Sequence, residues 1–113
     1  VQYAHARCCS ILRKAGDFNK SADVSVLTDP YERRLIWTLA QFQEVVRQAG
    51  DKRRINMLPT YGHELASALN QFYGAVPVLR SEHQDARLCL VEATRWALRN
   101  ALVTMGIAAP EEM

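Results

Sequence analysis

The sequence has 113 residues, 49% hydrophobic and 23% charged, and its 14 basic and 12 acidic residues give a formal net charge of +2. This length and composition are typical of one globular domain with a single core. So small a charge does not by itself indicate a nucleic-acid-binding surface. Every apolar stretch ends before the roughly 20 residues that a membrane span needs, so no membrane association is predicted. Because no leader-like segment follows Val1, we expect a fragment of a longer protein.

A first helix is predicted from Val1 to Ala15. Its apolar residues recur every three or four positions and form one stripe: Ala4, Cys8, Ile11, Leu12 and Ala15. Gly16 is a common residue for leaving a helix, and residues 17–28 show no sustained period, so a loop is predicted to follow. The apolar side chains of this loop that are available for packing on the core are Val24, Val26 and Leu27.

A second helix is predicted from its boundary residues. Asp29 is suited to capping the first amides and Pro30 to the first helical position, while Gly50 marks the end. Its predicted buried face consists of Leu35, Leu39, Phe42, Val45, Val46 and Ala49. At about 1.5 Å per residue, this single helix extends roughly 30 Å.

Two further helices complete the predicted fold. The third begins near Pro59, or as early as Ile55, and ends at Gly74; the fourth extends from about Glu82 to Met105. Their apolar positions are Leu65, Ala66, Leu69, Phe72 and Tyr73 in the third helix, and Leu88, Leu90, Val91, Ala93, Ala97, Leu98, Ala101, Leu102 and Met105 in the fourth. No alternating strand pattern is present. The sequence therefore predicts an all-α bundle of four to five helices, as one domain over residues 1–113.

Residue patterns typical of an enzyme site are missing from the sequence. It has no Gly-rich phosphate loop, no histidine pair at metal spacing and no serine between glycines, so we predict no catalytic residue, metal or cofactor in this chain. The scattered histidines, predicted to be solvated or hydrogen-bonded, are His5, His63 and His83. The odd number of cysteines and their lack of metal-ligand spacing favour free, buried thiols in a reducing cytoplasm, at Cys8, Cys9 and Cys89.

One polar face of the first helix has an unusual composition. Tyr3, Arg7, Ser10 and Lys14 follow one another at three- and four-residue spacing. Periodicity alone favours an ordinary solvated face that happens to include a tyrosine. The alternative is an RNA contact, in which Tyr3 stacks on an unpaired base while Arg7 and Lys14 hold the phosphate backbone.

A family resemblance extends along almost the whole chain. Residues 2–7 (QYAHAR) and 10–15 (SILRKA) resemble the segment that opens the anticodon-binding domain of arginyl-tRNA synthetases, which are class I enzymes. Further segments similar to this family, in the same order, are residues 39–42, 44–46, 65–73, 76–79, 85–88, 98–102, 106–107 and 109–113. Gln43 stands where many members have proline, and Ala101 where glycine is common. Both lie in predicted helices that accommodate them easily.

The resemblance implies roles for particular residues. Tyr3, Tyr73 and Met113 match family residues that form a pocket for the anticodon loop. For Arg7 the choice between an RNA contact and a structural ion pair stays open. Lys14 is a candidate contact to the RNA backbone from its place on the polar face alone. The implied fold is the helical anticodon-binding domain of this family.

The resemblance also implies a partner, an arginine tRNA bound by its anticodon stem-loop. The parent enzyme would join arginine to this tRNA with ATP, and both small substrates would bind a catalytic domain outside this chain. A monomeric, cytoplasmic enzyme is expected. Two alternatives stay open: the related domain of a cysteinyl- or glycyl-tRNA synthetase, and a helical protein-interaction module anchored by Trp37, Phe42 or Trp96.

Overall fold

The computed structural model describes residues 1–49, 57–76, 78–79 and 83–104. These residues form five α-helices and a short 3-10 helix at Val24–Val26. The α-helices are α1 (Gln2–Ala15), α2 (Pro30–Ala40), α3 (Phe42–Ala49), α4 (Met57–Ala75) and α5 (Gln84–Thr104). No strand occurs in these ranges. The predicted all-α bundle of four to five helices is therefore confirmed.

Helix α1 has the register that its apolar stripe predicted. Ala4, Cys8 and Ile11 are buried in the core. The helix ends at Gly16, whose φ of 71° lies in the left-handed region and whose N–H donates to the Leu12 carbonyl at 3.2 Å. In the loop beyond it, Leu27 is buried and packs on the core as predicted.

The predicted second helix is in fact two helices, α2 and α3, because the helix is interrupted at Gln41. Asp29 caps the first of them, accepting a hydrogen bond from the Tyr31 amide at 2.8 Å. At the break, the Tyr61 hydroxyl donates to the Thr38 carbonyl at 2.8 Å. A continuous α-helix would use that carbonyl for the amide four residues later, that of Phe42. Here the Thr38 carbonyl also accepts from the Gln41 amide, three residues on, at 3.3 Å. The break therefore coincides with a tightened turn and with a side chain bonded into the helix ladder.

The break also changes which side chains of α2 are buried. Its buried residues are Glu32, Leu35 and Thr38, while Leu39 is only partly buried. Phe42 opens α3 with its ring 6.0 Å from that of Tyr61, between ring centroids. The prediction of one continuous helix was wrong, whereas Leu39 and Phe42 pack on the core, partly buried, on the face that was predicted. The new helix start turns Phe42 toward α4 and α5.

Helix α5 is the central element of the core and packs against α1, α2 and α4. Its fully buried side chains include Leu88, Val91 and Leu98, as predicted, whereas Ala93 is exposed. In α4, Gly62 is a point of close approach, because a Cβ atom there would lie 3.2 Å from a methyl carbon of Val1. None of the helices in the described ranges is long and apolar enough to cross a membrane.

A buried ion pair connects α2 to α5. The Nε of Arg87 donates to the Glu32 carboxylate at 2.9 Å, and Glu32 is only 1% exposed. The Arg87 side chain is also largely buried. A buried carboxylate is tolerated when a cation and hydrogen bonds compensate for its lost hydration. The pair therefore fixes how the two helices sit against each other.

We expect Arg87→Met to destabilise the fold by about 3 kcal/mol or more, because it leaves the Glu32 carboxylate buried without its cation. Urea denaturation followed by circular dichroism measures the loss. Arg99→Met, at an exposed position of the same helix, is the matched control and should change stability by less than about 0.5 kcal/mol. Equal effects of the two substitutions would contradict the role given to the ion pair.

Two buried groups make the fold sensitive to alkaline pH. Burial, helped by the neighbouring Cys9, raises the pKa of the Cys8 thiol from 9.0 to about 12. Burial, together with the nearby Glu64, raises the pKa of Tyr61 from 10.0 to about 12. Because the unfolded chain loses these protons first, the stability they confer is complete below pH 9.0 and falls as the pH rises toward 12.

The free energy of unfolding should therefore be lower at about pH 10.5 than at about pH 8, with Cys8 alone contributing on the order of 2 kcal/mol of the difference. Urea titrations at the two pH values measure it. Cys8→Ala should make the pH dependence shallower, and Cys89→Ala, at a partly exposed cysteine, is the matched control. An unchanged pH dependence in Cys8→Ala would refute this assignment.

Candidate nucleic-acid interface

Four residues from two helices meet at the surface between α1 and α4. Tyr3 and Arg7 lie one helical turn apart on α1, and Asn70 and Tyr73 lie one turn apart on α4. We call these four residues the Arg7 cluster. The buried stripes of α1 and α4 bring the two pairs together, because each pair lies at the edge of a helix face that packs in the core.

The guanidinium of Arg7 lies at the centre of this cluster. Its Cζ atom is 5.2 Å from the centroid of the Tyr3 ring and also 5.2 Å from that of the Tyr73 ring. Its Nη1 donates to the Asn70 side-chain oxygen at 2.9 Å, and its Nη2 donates to the Tyr3 hydroxyl at 3.4 Å. Two cation–π contacts and two hydrogen bonds thus hold one cation against both rings.

Both tyrosine rings of the Arg7 cluster are accessible from outside. Tyr3 is 57% exposed and Tyr73 is 40% exposed, whereas Phe72, next to Tyr73, is fully buried. Exposed aromatic faces beside a cation are the elements with which proteins stack unpaired bases and attract phosphates. Chemically, the cluster is therefore suited to binding a single-stranded segment of RNA.

The electrostatic state of Arg7 bears on the two roles that the sequence left open. Among the described residues, its hydrogen-bond partners are a neutral amide and a phenol, not a carboxylate. In the described part of the chain, the contacts of Arg7 are therefore not those of a structural ion pair. The positive charge stays available to an anion, and the guanidinium has five N–H donors, of which these two bonds use two.

Of the other two sequence-predicted site residues, Lys14 is the one that the structure describes, and it lies outside the Arg7 cluster. Lys14 is exposed on α1, two turns beyond Arg7, which is roughly 10 Å along the helix axis. A backbone contact by Lys14 therefore requires an RNA segment that extends along α1. Met113 lies outside the described residues, so its role in the pocket stays a prediction.

Sequence patterns did not identify Asn70 as a member of the site. It is separated from Arg7 by 63 residues, and a lone polar residue on the outside of a helix carries no signal of such a contact. The one available signal was its spacing of three residues from Tyr73, which the family resemblance had already marked. That spacing places both side chains on the same side of α4.

The thiols and the histidine of α1 are structural. Cys8 is fully buried and its raised pKa keeps it protonated, so it is not a nucleophile. Its neighbour Cys9 is also buried, with its sulfur 4.0 Å from the ring nitrogens of the buried His5. Within the described residues, no three His, Cys, Asp or Glu side chains are grouped as metal ligands would be.

A second surface feature is a cleft of about 620 Å³ between the α2–α3 break and α5. Phe42 and Trp96 both line it, with their rings in edge contact at 5.4 Å between centroids. Trp96 is 54% exposed, and Trp37, on the last turn of α2, is 67% exposed. These are the aromatic residues that the sequence suggested as anchors for a protein partner.

Comparison with known proteins shows similarity over the entire chain. A model of the family described as DALR anticodon binding domain matches residues 1–113. An arginine–tRNA ligase of Pyrococcus abyssi is 48% identical over 120 aligned residues, which cover 100% of this chain and 19% of the ligase. That of Pyrococcus furiosus is 44% identical, with 100% and 20% covered. The chain thus spans about a fifth of the length of these curated relatives.

Solved structures show the same similarity in three dimensions. The arginyl-tRNA synthetase of Thermus thermophilus matches with a TM-score of 0.90 and 39% identity, over 99% of this chain and 20% of that one. A putative arginyl-tRNA synthetase of Campylobacter jejuni matches with a TM-score of 0.89 and 26% identity, over 99% and 25%. The helical arrangement described above is therefore the one found in these two structures.

Proposed function

The chain belongs to the DALR anticodon-binding domain family, and we propose that it binds the anticodon stem-loop of an arginine tRNA as part of an arginine–tRNA ligase. The observation that supports this most directly is the Arg7 cluster. Its two accessible tyrosine rings flank a cation whose charge the described partners do not neutralise. Unstacked bases of a loop would lie against the rings, and Arg7 would face the polar edge of a base or a phosphate.

The genetic code restricts what such a pocket has to recognise. All arginine codons have guanine in the middle, so every arginine anticodon has cytosine there, while its third base is guanine or uracil. A pocket specific for one cytosine and tolerant at the neighbouring base meets this requirement. Tyrosine stacking provides the tolerance, because every base offers a π-face.

The remaining steps of the reaction belong to the part of the ligase outside this chain. The relatives are about five times longer than the region they share with it. We propose that ATP and arginine bind in that remainder and that aminoacylation takes place there, in the cytoplasm. With its anticodon docked on this chain, the tRNA would be held so that its acceptor end reaches the catalytic domain.

The exposed tryptophans support a second candidate function, docking of a protein partner. Trp37 and Trp96 expose more than half of their surface, and aromatic residues are frequent anchors in interfaces. Salt dependence separates the two functions: binding to RNA should weaken steeply with added salt, through phosphate contacts, whereas an apolar protein interface should not.

Tyr3→Ala should weaken binding of the 113-residue chain to an RNA hairpin with an arginine anticodon loop by roughly fivefold to 150-fold, the range for loss of one stacking aromatic. Fluorescence anisotropy measures the affinity. Tyr31→Ala is the matched control, because Tyr31 is a similarly exposed tyrosine on α2 and should leave the affinity unchanged. Thermal unfolding should be nearly the same in both variants.

In the full-length ligase, Tyr3→Ala should slow aminoacylation while arginine-dependent pyrophosphate exchange keeps its rate, since activation of arginine takes place elsewhere. If Tyr3→Ala binds the hairpin and supports aminoacylation like the unsubstituted protein, the proposed site is wrong.

A further inference from the structure

We propose that Asn70 is a positioning residue, which holds the Arg7 guanidinium between Tyr3 and Tyr73 so that its unused N–H groups face bound RNA. This inference rests on the proposed function and deepens it. Its basis is the 2.9 Å hydrogen bond from Arg7 Nη1 to the Asn70 side-chain oxygen, which joins α1 to α4.

An arginine side chain on a helix surface ordinarily samples many rotamers, and ordering it has an entropic cost. In the Arg7 cluster, two of its contacts are made by its own helix neighbour, Tyr3. The other two come from α4, through Asn70 and Tyr73. The ring of Tyr73 attracts the cation without fixing its direction, whereas the Asn70 oxygen fixes the position of one particular nitrogen.

A neutral partner has a specific advantage at this position. A carboxylate would orient the guanidinium equally well, but it would also cancel the positive charge that attracts RNA. The amide oxygen of Asn70 orients Arg7 and leaves its charge intact. Substitutions at position 70 can therefore change the orientation of Arg7 and the local net charge independently of each other.

The first test needs no RNA. In the free chain, the side-chain protons of Arg7 should show upfield NMR shifts caused by the Tyr3 and Tyr73 rings. Asn70→Ala should move these shifts toward random-coil values, whereas Asn70→Asp should keep them. Gln71→Ala is the matched control, since Gln71 is the adjacent amide on α4 and accepts a hydrogen bond from a different arginine, Arg34. Unchanged Arg7 shifts in Asn70→Ala would overturn the proposal.

The second test measures binding of the RNA hairpin with an arginine anticodon loop. Asn70→Ala should weaken binding about twofold to tenfold, as expected for loss of one hydrogen bond, and should have no further effect in an Arg7→Ala background. Asn70→Asp should weaken binding although Arg7 stays in place, and most at low salt. Gln71→Ala should bind like the unsubstituted chain.

The outcomes distinguish this inference from the proposed function. If Tyr3→Ala weakens binding but Asn70→Ala does not, the site is correct and the role of Asn70 is refuted. Equal losses from Asn70→Ala with and without Arg7 would refute it too, because Asn70 would then act independently of Arg7. If the unsubstituted chain binds no hairpin, the proposed function fails, while the NMR shifts still decide whether Asn70 positions Arg7.

Discussion

The register of helix α1 is the constraint on which the rest of the site depends. Burial of Ala4, Cys8 and Ile11 against the core sets the rotation of this helix about its axis. With 3.6 residues per turn, that rotation leaves no choice about which edge faces outward beside α4. Tyr3 and Arg7 occupy that edge. The positions of Tyr3 and Arg7 at this surface are thus set by apolar packing on the opposite side of the same helix.

Helix α4 likewise combines buried apolar residues with a tyrosine at its exposed edge. Leu65, Leu69 and Phe72 are fully buried, while Tyr73, the next residue, points outward at the edge. The buried residues of α1 and α4 therefore set the separation between the Tyr3 and Tyr73 rings. The Glu32–Arg87 pair stabilises this arrangement from a distance, because it fixes α2, which packs on α4, against α5, which packs on both α1 and α4.

Most of the fold followed from the sequence, because its helices have strong periodic patterns and recognisable ends. Gly16 and Asp29 acted locally, through backbone conformation and a cap, and both were predictable for that reason. The break at Gln41 was not. The Tyr61 hydroxyl that donates to the Thr38 carbonyl at the break comes from another helix. No pattern within residues 29–50 contains that information.

In the candidate site, too, some features were visible in the sequence and others depended on the fold. The spacing of Tyr3, Arg7 and Lys14 on one face was visible in the sequence, and the family resemblance marked Tyr73. The contact of Arg7 with Asn70 joins positions 63 residues apart and required the packing of α1 on α4. Burial of Glu32 was equally invisible, because a carboxylate is ordinarily a surface residue. Long-range polar contacts are specific to a fold, and periodicity does not encode them.

Under the proposed function, different residues of the Arg7 cluster provide the affinity for an unpaired base and the recognition of which base it is. Stacking on Tyr3 and Tyr73 stabilises any unpaired base and discriminates weakly among the four. Discrimination requires directional hydrogen bonds, and these contribute more free energy when the protein group is held in place before the base arrives. Within the cluster, Arg7 has N–H donors beyond the two that its hydrogen bonds use, and its orientation is fixed by a partner that leaves its charge intact. A fixed donor beside tolerant stacking surfaces is the combination that recognition of one invariant cytosine next to a variable base demands.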